Sequence, residues 1–155
     1  MLRMVKEVST IVISAPQTDA LAIVQNIKNI EKSEVKADEV IVHPDTETKG
    51  TYWVCGHFAG IPWTHTFAYE LNEKGFHSME ATPPPSGTRI SGGFIVEALG
   101  ERECKVIHYE DYKLSWWMLP AKPLIVWYLK WSMRKELRAV RDLVLEYALA
   151  NSLSM

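Results

Sequence analysis

Cysteine is scarce in this sequence: Cys55 and Cys104 stand alone, in no CxxC pair and no Cys/His cluster. That gives neither a disulfide framework nor a thiolate metal site, and the expectation is two reduced thiols in a cytoplasmic protein. Long apolar runs are missing as well. Met1-Leu2-Arg3-Met4-Val5-Lys6-Glu7 lacks the apolar segment of a signal peptide. The most apolar stretch, Trp116 to Met133, is interrupted by Pro120, Lys122, Pro123 and Lys130, too often for a membrane span. No internal repeat or low-complexity tract occurs, so residues 1–155 read as a single domain. Nor is there a phosphate-cradling GxxxxGK[ST], a GxGxxG after a strand, an HExxH or a GxSxG, so no cofactor and no metal are expected. Net charge is only −2, which argues against a nucleic-acid partner.

What is present is apolar and aromatic. Of 155 residues 47% are hydrophobic and 23% charged, and six are Trp, enough apolar material for one soluble core. Residues 4–14 are β-rich and end at Ala15-Pro16; Leu21, Ile23, Val24, Ile27 and Ile30 then recur at helical spacing. After Ser33 the period becomes two. Turn signals at 44–50, 60–62, 72–75, 83–87 and 99–101 divide the segment into six short strands of an antiparallel meander. One face of the strand after Pro62 carries Trp63, His65, Phe67, Tyr69 and Leu71. The strand after Gly87 presents Ile90, Gly92, Phe94, Val96 and Ala98; the last presents Val106, His108, Glu110, Tyr112 and Leu114. From Ala121 to Ala150 the period returns to 3.6, with an apolar stripe of Ile125, Val126, Leu129, Met133, Leu137, Val140, Val144 and Tyr147. At 1.5 Å per residue this helix is about 45 Å long, and only the inner sheet face can cover its stripe. The expected fold class is α+β, a curved sheet of about seven strands wrapped around a long C-terminal helix.

The order of elements, Ala15-Pro16 at the first strand-to-helix junction, and a last strand from Val106 to Tyr112 with alternate residues inward resemble the START-like, polyketide cyclase/dehydrase and plant pollen-allergen superfamily (SRPBCC). The resemblance spans about residues 4–150 and implies the helix-grip fold, with an apolar cavity between sheet and C-terminal helix. It implies a hydrophobic small molecule or lipid as ligand, bound or transported. The alternative is a polyketide cyclase/dehydratase-like enzyme. Such a cavity would be lined by Trp63, Phe67, Tyr69 and Phe94 from the strands and by Leu129, Met133 and Leu137 from the helix. Gly92 and Ala98 would leave room beneath the helix, and Met133 would supply an adaptable wall. His65, His108, Glu110 and Tyr112 interrupt the apolar faces as polar anchors. His108 and Glu110 are two apart on one face, so they either orient a ligand, form an internal hydrogen-bond network, or act with His65 as catalytic acid and base. A buried Glu110 requires a His, Tyr or Arg partner, or a wet cavity mouth.

Charge is unevenly spread. Residues 113–141 carry Lys113, Lys122, Lys130, Arg134, Lys135, Arg138 and Arg141 against Glu136 alone, and include Trp116, Trp117, Trp127 and Trp131. On the helical wheel Trp127 and Trp131 lie opposite the inner stripe, beside Lys135 and Arg138. Trp with Lys/Arg is the chemistry of contact with an anionic membrane. A homodimer contact, or cover by residues 114–120, would use the same rings.

Overall fold

The computed structural model describes residues 3–81 and 89–154, so the turn expected at 83–87 lies outside the described residues. β1 (Met4–Ile13) leads to α1 (Gln17–Val24), a 3-10 turn (Ile27–Asn29) and a one-turn α2 (Ile30–Ser33). The meander follows as β2 (Glu39–Pro44), β3 (Lys49–Phe58), β4 (Ile61–Asn72), β5 (Gly75–Glu80), β6 (Arg89–Gly100) and β7 (Glu103–Lys113). A second 3-10 stretch, Trp116–Ala121, turns the chain into α3 (Lys122–Leu153).

The seven strands form one curved antiparallel sheet in the order β1-β7-β6-β5-β4-β3-β2. Consecutive strands from β2 to β7 are neighbours, whereas β1 joins across the chain, pairing Val5 with Tyr112 and Ile13 with Cys104. Between β3 and β4 stand only Ala59 and Gly60, both at positive φ (50° and 86°), as a two-residue turn that follows strand twist requires. Strand alternation sets the faces. β4 buries Phe67 and Tyr69 and exposes Thr64 and Glu70; β7 buries Val106, His108, Glu110 and Tyr112. α3 lays Ile125, Leu129, Met133, Leu137, Val140 and Val144 into the interior, each large side chain contributing roughly 1.5–3 kcal/mol of burial. No helix among the described residues is long and apolar enough to cross a membrane.

Four local features differ from the periodicity. The first helix is not continuous: Asn26 takes an extended conformation and divides the apolar positions among α1, the 3-10 turn and α2. Gln25 fixes that corner by donating to the carbonyls of Asn72 and Gly75 at the β4–β5 turn. Ala98 is exposed rather than beneath the helix, because the β6–β7 register slips between Ala98 and Gly100. Tyr147 is exposed together with Leu145, Leu149 and Leu153, since the last turns of α3 run beyond the buried stripe. Glu136, the one acid of the basic segment, is completely buried between Met133 and Val140 on the inward stripe.

Candidate functional site

A cavity of about 300 Å³ lies between the sheet, α2 and the start of α3. Its wall is mainly apolar: Trp63, Phe67, Phe76, Ile90, Phe94 and Ile125 contribute, with Phe58, Ile61, Trp117 and Met118 also along it. Trp63, His65, Phe67, Phe94, His108, Glu110 and Tyr112 all line it, as the strand alternation places them. Tyr69, Leu129, Met133 and Leu137 do not. These four are buried, but Tyr69 lies further along β4 toward a separate crevice. The three α3 residues belong to the solid packing under the helix, so Ile125 and the 3-10 stretch before α3 line the cavity from this side.

One end of the cavity is charged, and its centre is Lys36, which sequence periodicity passes over. Lys36 stands in the α2–β2 connection and is only 3% exposed. Its carbonyl accepts a hydrogen bond from the His57 amide, and Asp38 N–H donates to the Cys55 carbonyl, so the connection is sewn to β3. Between these bonds β3 has Gly56. A Cβ there would stand 1.8 Å from the Lys36 carbonyl oxygen, so only glycine permits this approach.

Lys36 Nζ lies 2.6 Å from Glu34 Oε1, 2.6 Å from Glu136 Oε1 and 3.3 Å from Glu110 Oε1, and donates to Ser132 Oγ at 3.2 Å. Burial would discharge this lysine, but the carboxylates of Glu110, Glu34 and Glu136 outweigh it and push its pKa well above the usual value. Burial also acts to raise Glu34, yet Lys36 and a hydrogen bond from Glu136 hold that carboxyl down at about 2. Glu136 goes the other way. Buried, and beside Glu34, it is pushed well up. His108 stacks on Phe94 with ring centroids 4.3 Å apart, and burial lowers its pKa, against the pull of Glu110 and Glu34. Its Nε2 is 3.5 Å from Glu110 Oε1, and its Nδ1 is 3.4 Å from Glu136 Oε2; neither Nδ1 nor Oε2 has a hydrogen-bond partner. Tyr112 donates to Glu110 Oε2 at 3.2 Å. Burial, then Glu110, hold the Tyr112 phenol well above its ordinary range.

Glu110 thus has the histidine and tyrosine that its burial demands, and Lys36 besides. Chemically the cluster offers a fixed cation, carboxyls pushed in opposite directions, and an imidazole around one end of an apolar space. Glu34, His108, Glu110 and Glu136 bring one metal-competent atom each within 4.8 Å of one another. The Lys36 ammonium sits among them and supplies the positive charge that such a set attracts.

His65 stands apart from this cluster. Its Nε2 is 3.7 Å from Glu80 Oε1, on the neighbouring strand, and burial lowers its pKa. Burial lifts the Glu80 carboxyl to about 7, against a nearby Ile90 backbone N–H and the charge of Arg89.

A long helix gripped by a seven-stranded antiparallel sheet, with a cavity between them, is the arrangement of known structures. A START superfamily protein from Mycobacterium smegmatis superposes with a TM-score of 0.72 at 12% identity, over 92% of this chain and 97% of that one. The chain has the START-like helix-grip fold. Within this fold, an aromatase/cyclase from Streptomyces sp. R1128 is similar with a TM-score of 0.67 at 15% identity, covering 94% of this chain and 93% of its own. Norcoclaurine synthase from Thalictrum flavum, solved with dopamine and hydroxybenzaldehyde, gives 0.67 at 14% identity, with 94% and 90% covered. No protein-family model and no curated protein matches the sequence.

The Trp-bearing surface of this helix grip is exposed. Trp116, Trp117, Leu124 and Trp127 are 65–75% accessible, while Trp131 is partly covered by Tyr128 and has Lys135 Nζ 4.5 Å from its ring centroid. Arg3 stacks over Trp116, and Arg138 is exposed on the same helix. With Glu136 withdrawn into the interior, this segment presents basic residues and no acidic one.

Proposed function

We propose that residues 1–155 act as one START-like domain that binds or transports a hydrophobic small molecule or lipid in the cavity between sheet and helix. The observation that carries this is a wall of aromatic and aliphatic side chains closed at one end by a buried charged cluster. Helix-grip neighbours include a START superfamily protein and an enzyme solved with small aromatic molecules, in line with such a ligand. Native mass spectrometry of the purified protein, compared before and after organic extraction, should reveal a released small molecule or an empty protein that takes up added apolar probes. Absence of both would refute the reading. The free thiols of Cys55 and Cys104 suit a cytoplasmic location.

The second reading is a cyclase- or dehydratase-like enzyme, and the Lys36–Glu34–Glu136–His108–Glu110 cluster favours it. Glu110 touches both His108 and Tyr112 at the cavity wall, the placement of an acid/base group. Glu110→Gln separates the two uses. A ligand anchor should lose roughly 1–2 kcal/mol of binding, whereas an acid/base residue should retain binding and lose about 100-fold or more in turnover. Equal effects on neither, with a loss of stability only, would assign Glu110 a structural role.

Ligand exchange would take place at an anionic membrane. Trp117 and Ile61 both line the cavity and are both strongly exposed, so the apolar rim and the cavity are continuous. The exposed basic residues of α3, the helix that follows Trp117, supply the second signal that peripheral binding needs. Trp116→Ala with Trp127→Ala should reduce co-sedimentation with phosphatidylserine vesicles severalfold while the thermal transition remains in place. Loss of a dimer in the same variant, with no vesicle binding by the parent protein, would show instead that the rings meet a second copy.

A further inference from the structure

Two buried polar groups outside the charged cluster are left unsatisfied, one in the cavity wall and one behind it. Trp63 Nε1 is buried and has no hydrogen-bond partner, although Trp63 lines the cavity. Both oxygens of Glu80 are likewise buried without a partner, and the Ile90 amide leans toward the carboxyl without completing a hydrogen bond. Orphaned buried polar groups are uncommon because each costs its desolvation, so the Trp63 N–H in the wall calls for an occupant, and Glu80 for a partner. His65 connects them. It lines the cavity, its ring centroid is 6.1 Å from that of Trp63, and its Nε2 faces Glu80 Oε1 at 3.7 Å, about half an ångström beyond hydrogen-bond range.

We propose that Trp63 and His65 form a donor pair that takes a carbonyl oxygen of the bound molecule, with Glu80 as the positioning residue that sets the imidazole tautomer. This rests on the hydrophobic-ligand reading and names the ligand's polar group. A protonated Glu80 donates its O–H to His65 Nε2; the ring proton then resides on Nδ1, which donates toward the ligand. An ionised Glu80 instead accepts from Nε2–H and leaves Nδ1 an acceptor, which repels a carbonyl. The indole N–H of Trp63 donates in either state. Glu80 therefore makes carbonyl recognition depend on pH around 7, the value to which burial lifts it.

Arg89 on β6 is the cation facing Glu80 and acts to lower its pKa. In the cluster, Lys36 is held up, Glu34 is held at about 2, His108 is pushed down, and Glu136 and Tyr112 are pushed well up.

The test uses two near-isosteric probes, 2-acetonaphthone and 2-ethylnaphthalene, which differ by a carbonyl oxygen. Binding is measured by calorimetry at pH 6 and pH 8.5. The ketone should bind about tenfold more tightly than the hydrocarbon at pH 6, and at pH 8.5, with Trp63 alone still donating, that advantage should fall about threefold. Glu80→Gln, whose amide donates at any pH, should keep the advantage at both. Glu80→Leu should show the reduced advantage already at pH 6; if that variant does not fold, the pH profile of Glu80→Gln decides alone. An advantage that is flat with pH in the parent protein, or that survives undiminished in Glu80→Leu, overturns the assignment of Glu80. Equal binding of the two probes removes the carbonyl site and leaves the apolar-ligand reading standing, whereas binding of neither removes both.

Discussion

Lys36→Met is expected to destabilise the protein by about 3–5 kcal/mol, the cost of breaking a buried ion network by removing one partner. Methionine fills the volume of the lysine stem but leaves Glu34 ionised in a dry setting beside Glu110 and Glu136. Glu136→Gln is the matched control. Burial and Glu34 push Glu136 toward its neutral form, and glutamine keeps its shape and a donor toward Glu34, so its cost should stay within about 1 kcal/mol. Urea unfolding at pH 7 measures both. Comparable losses in the two variants would contradict that neutral form. The pH dependence has a definite sign. Glu34 is depressed in the fold, so its contribution is present above its ordinary value of 4.5 and is lost as pH falls toward about 2. In Lys36→Met that acid-side loss should largely disappear.

Gly56→Ala is expected to cost about 2–4 kcal/mol, although it adds a single methyl group at a partly exposed strand. The new Cβ would stand 1.8 Å from the Lys36 carbonyl oxygen and 2.9 Å from the Ala37 Cα, and backbone cannot yield as a flexible side chain does. The connection would have to lift from β3, breaking the His57 N–H bond to Lys36 and withdrawing the ammonium from its carboxylates. The two substitutions should therefore be strongly non-additive: Gly56→Ala in a Lys36→Met background should cost at least 1 kcal/mol less than alone. Strict additivity in a double-mutant cycle would show that the glycine matters to the strand and not to the lysine.

Apolar periodicity made the scaffold legible. The two-residue alternation of β4 and β7 and the Leu129–Val144 stripe of α3 each have one solution that buries the large side chains, and consecutive strands from β2 to β7 are neighbours. The same logic hid the centre of the site. Lys36, Glu34 and Glu80 are charged residues in or beside connections, where sequence gives solvent as the default, and only the fold brings the first two against the cavity and Glu80 against His65. Glu136 did leave a signal. It falls three residues after Met133 and four before Val140, squarely on the inward stripe, but its charge assigned it to the basic outer face. His108, Glu110 and Tyr112 were findable because they share one strand. Their cationic partner, dozens of positions away, was not. Cavity lining by Leu129, Met133 and Leu137 failed for a different reason: periodicity tells which side of a helix is covered, not whether side chains or empty space cover it.

The strand order also sets a timetable for the growing chain. β1 leaves the ribosome first, yet its sole strand partner is β7, one of the last strands to be made. Every other strand finds a neighbour a short turn away. The meander from β2 to β7 can therefore assemble by local steps, while β1 must close a loop of almost the whole chain, and α3 can seat fully only once that edge is in place. Until then Val5, Ile11 and Ile13 have no sheet to cover them. The nascent protein carries an unpaired, apolar-faced strand through most of its synthesis, and that strand is where a holding chaperone would meet it.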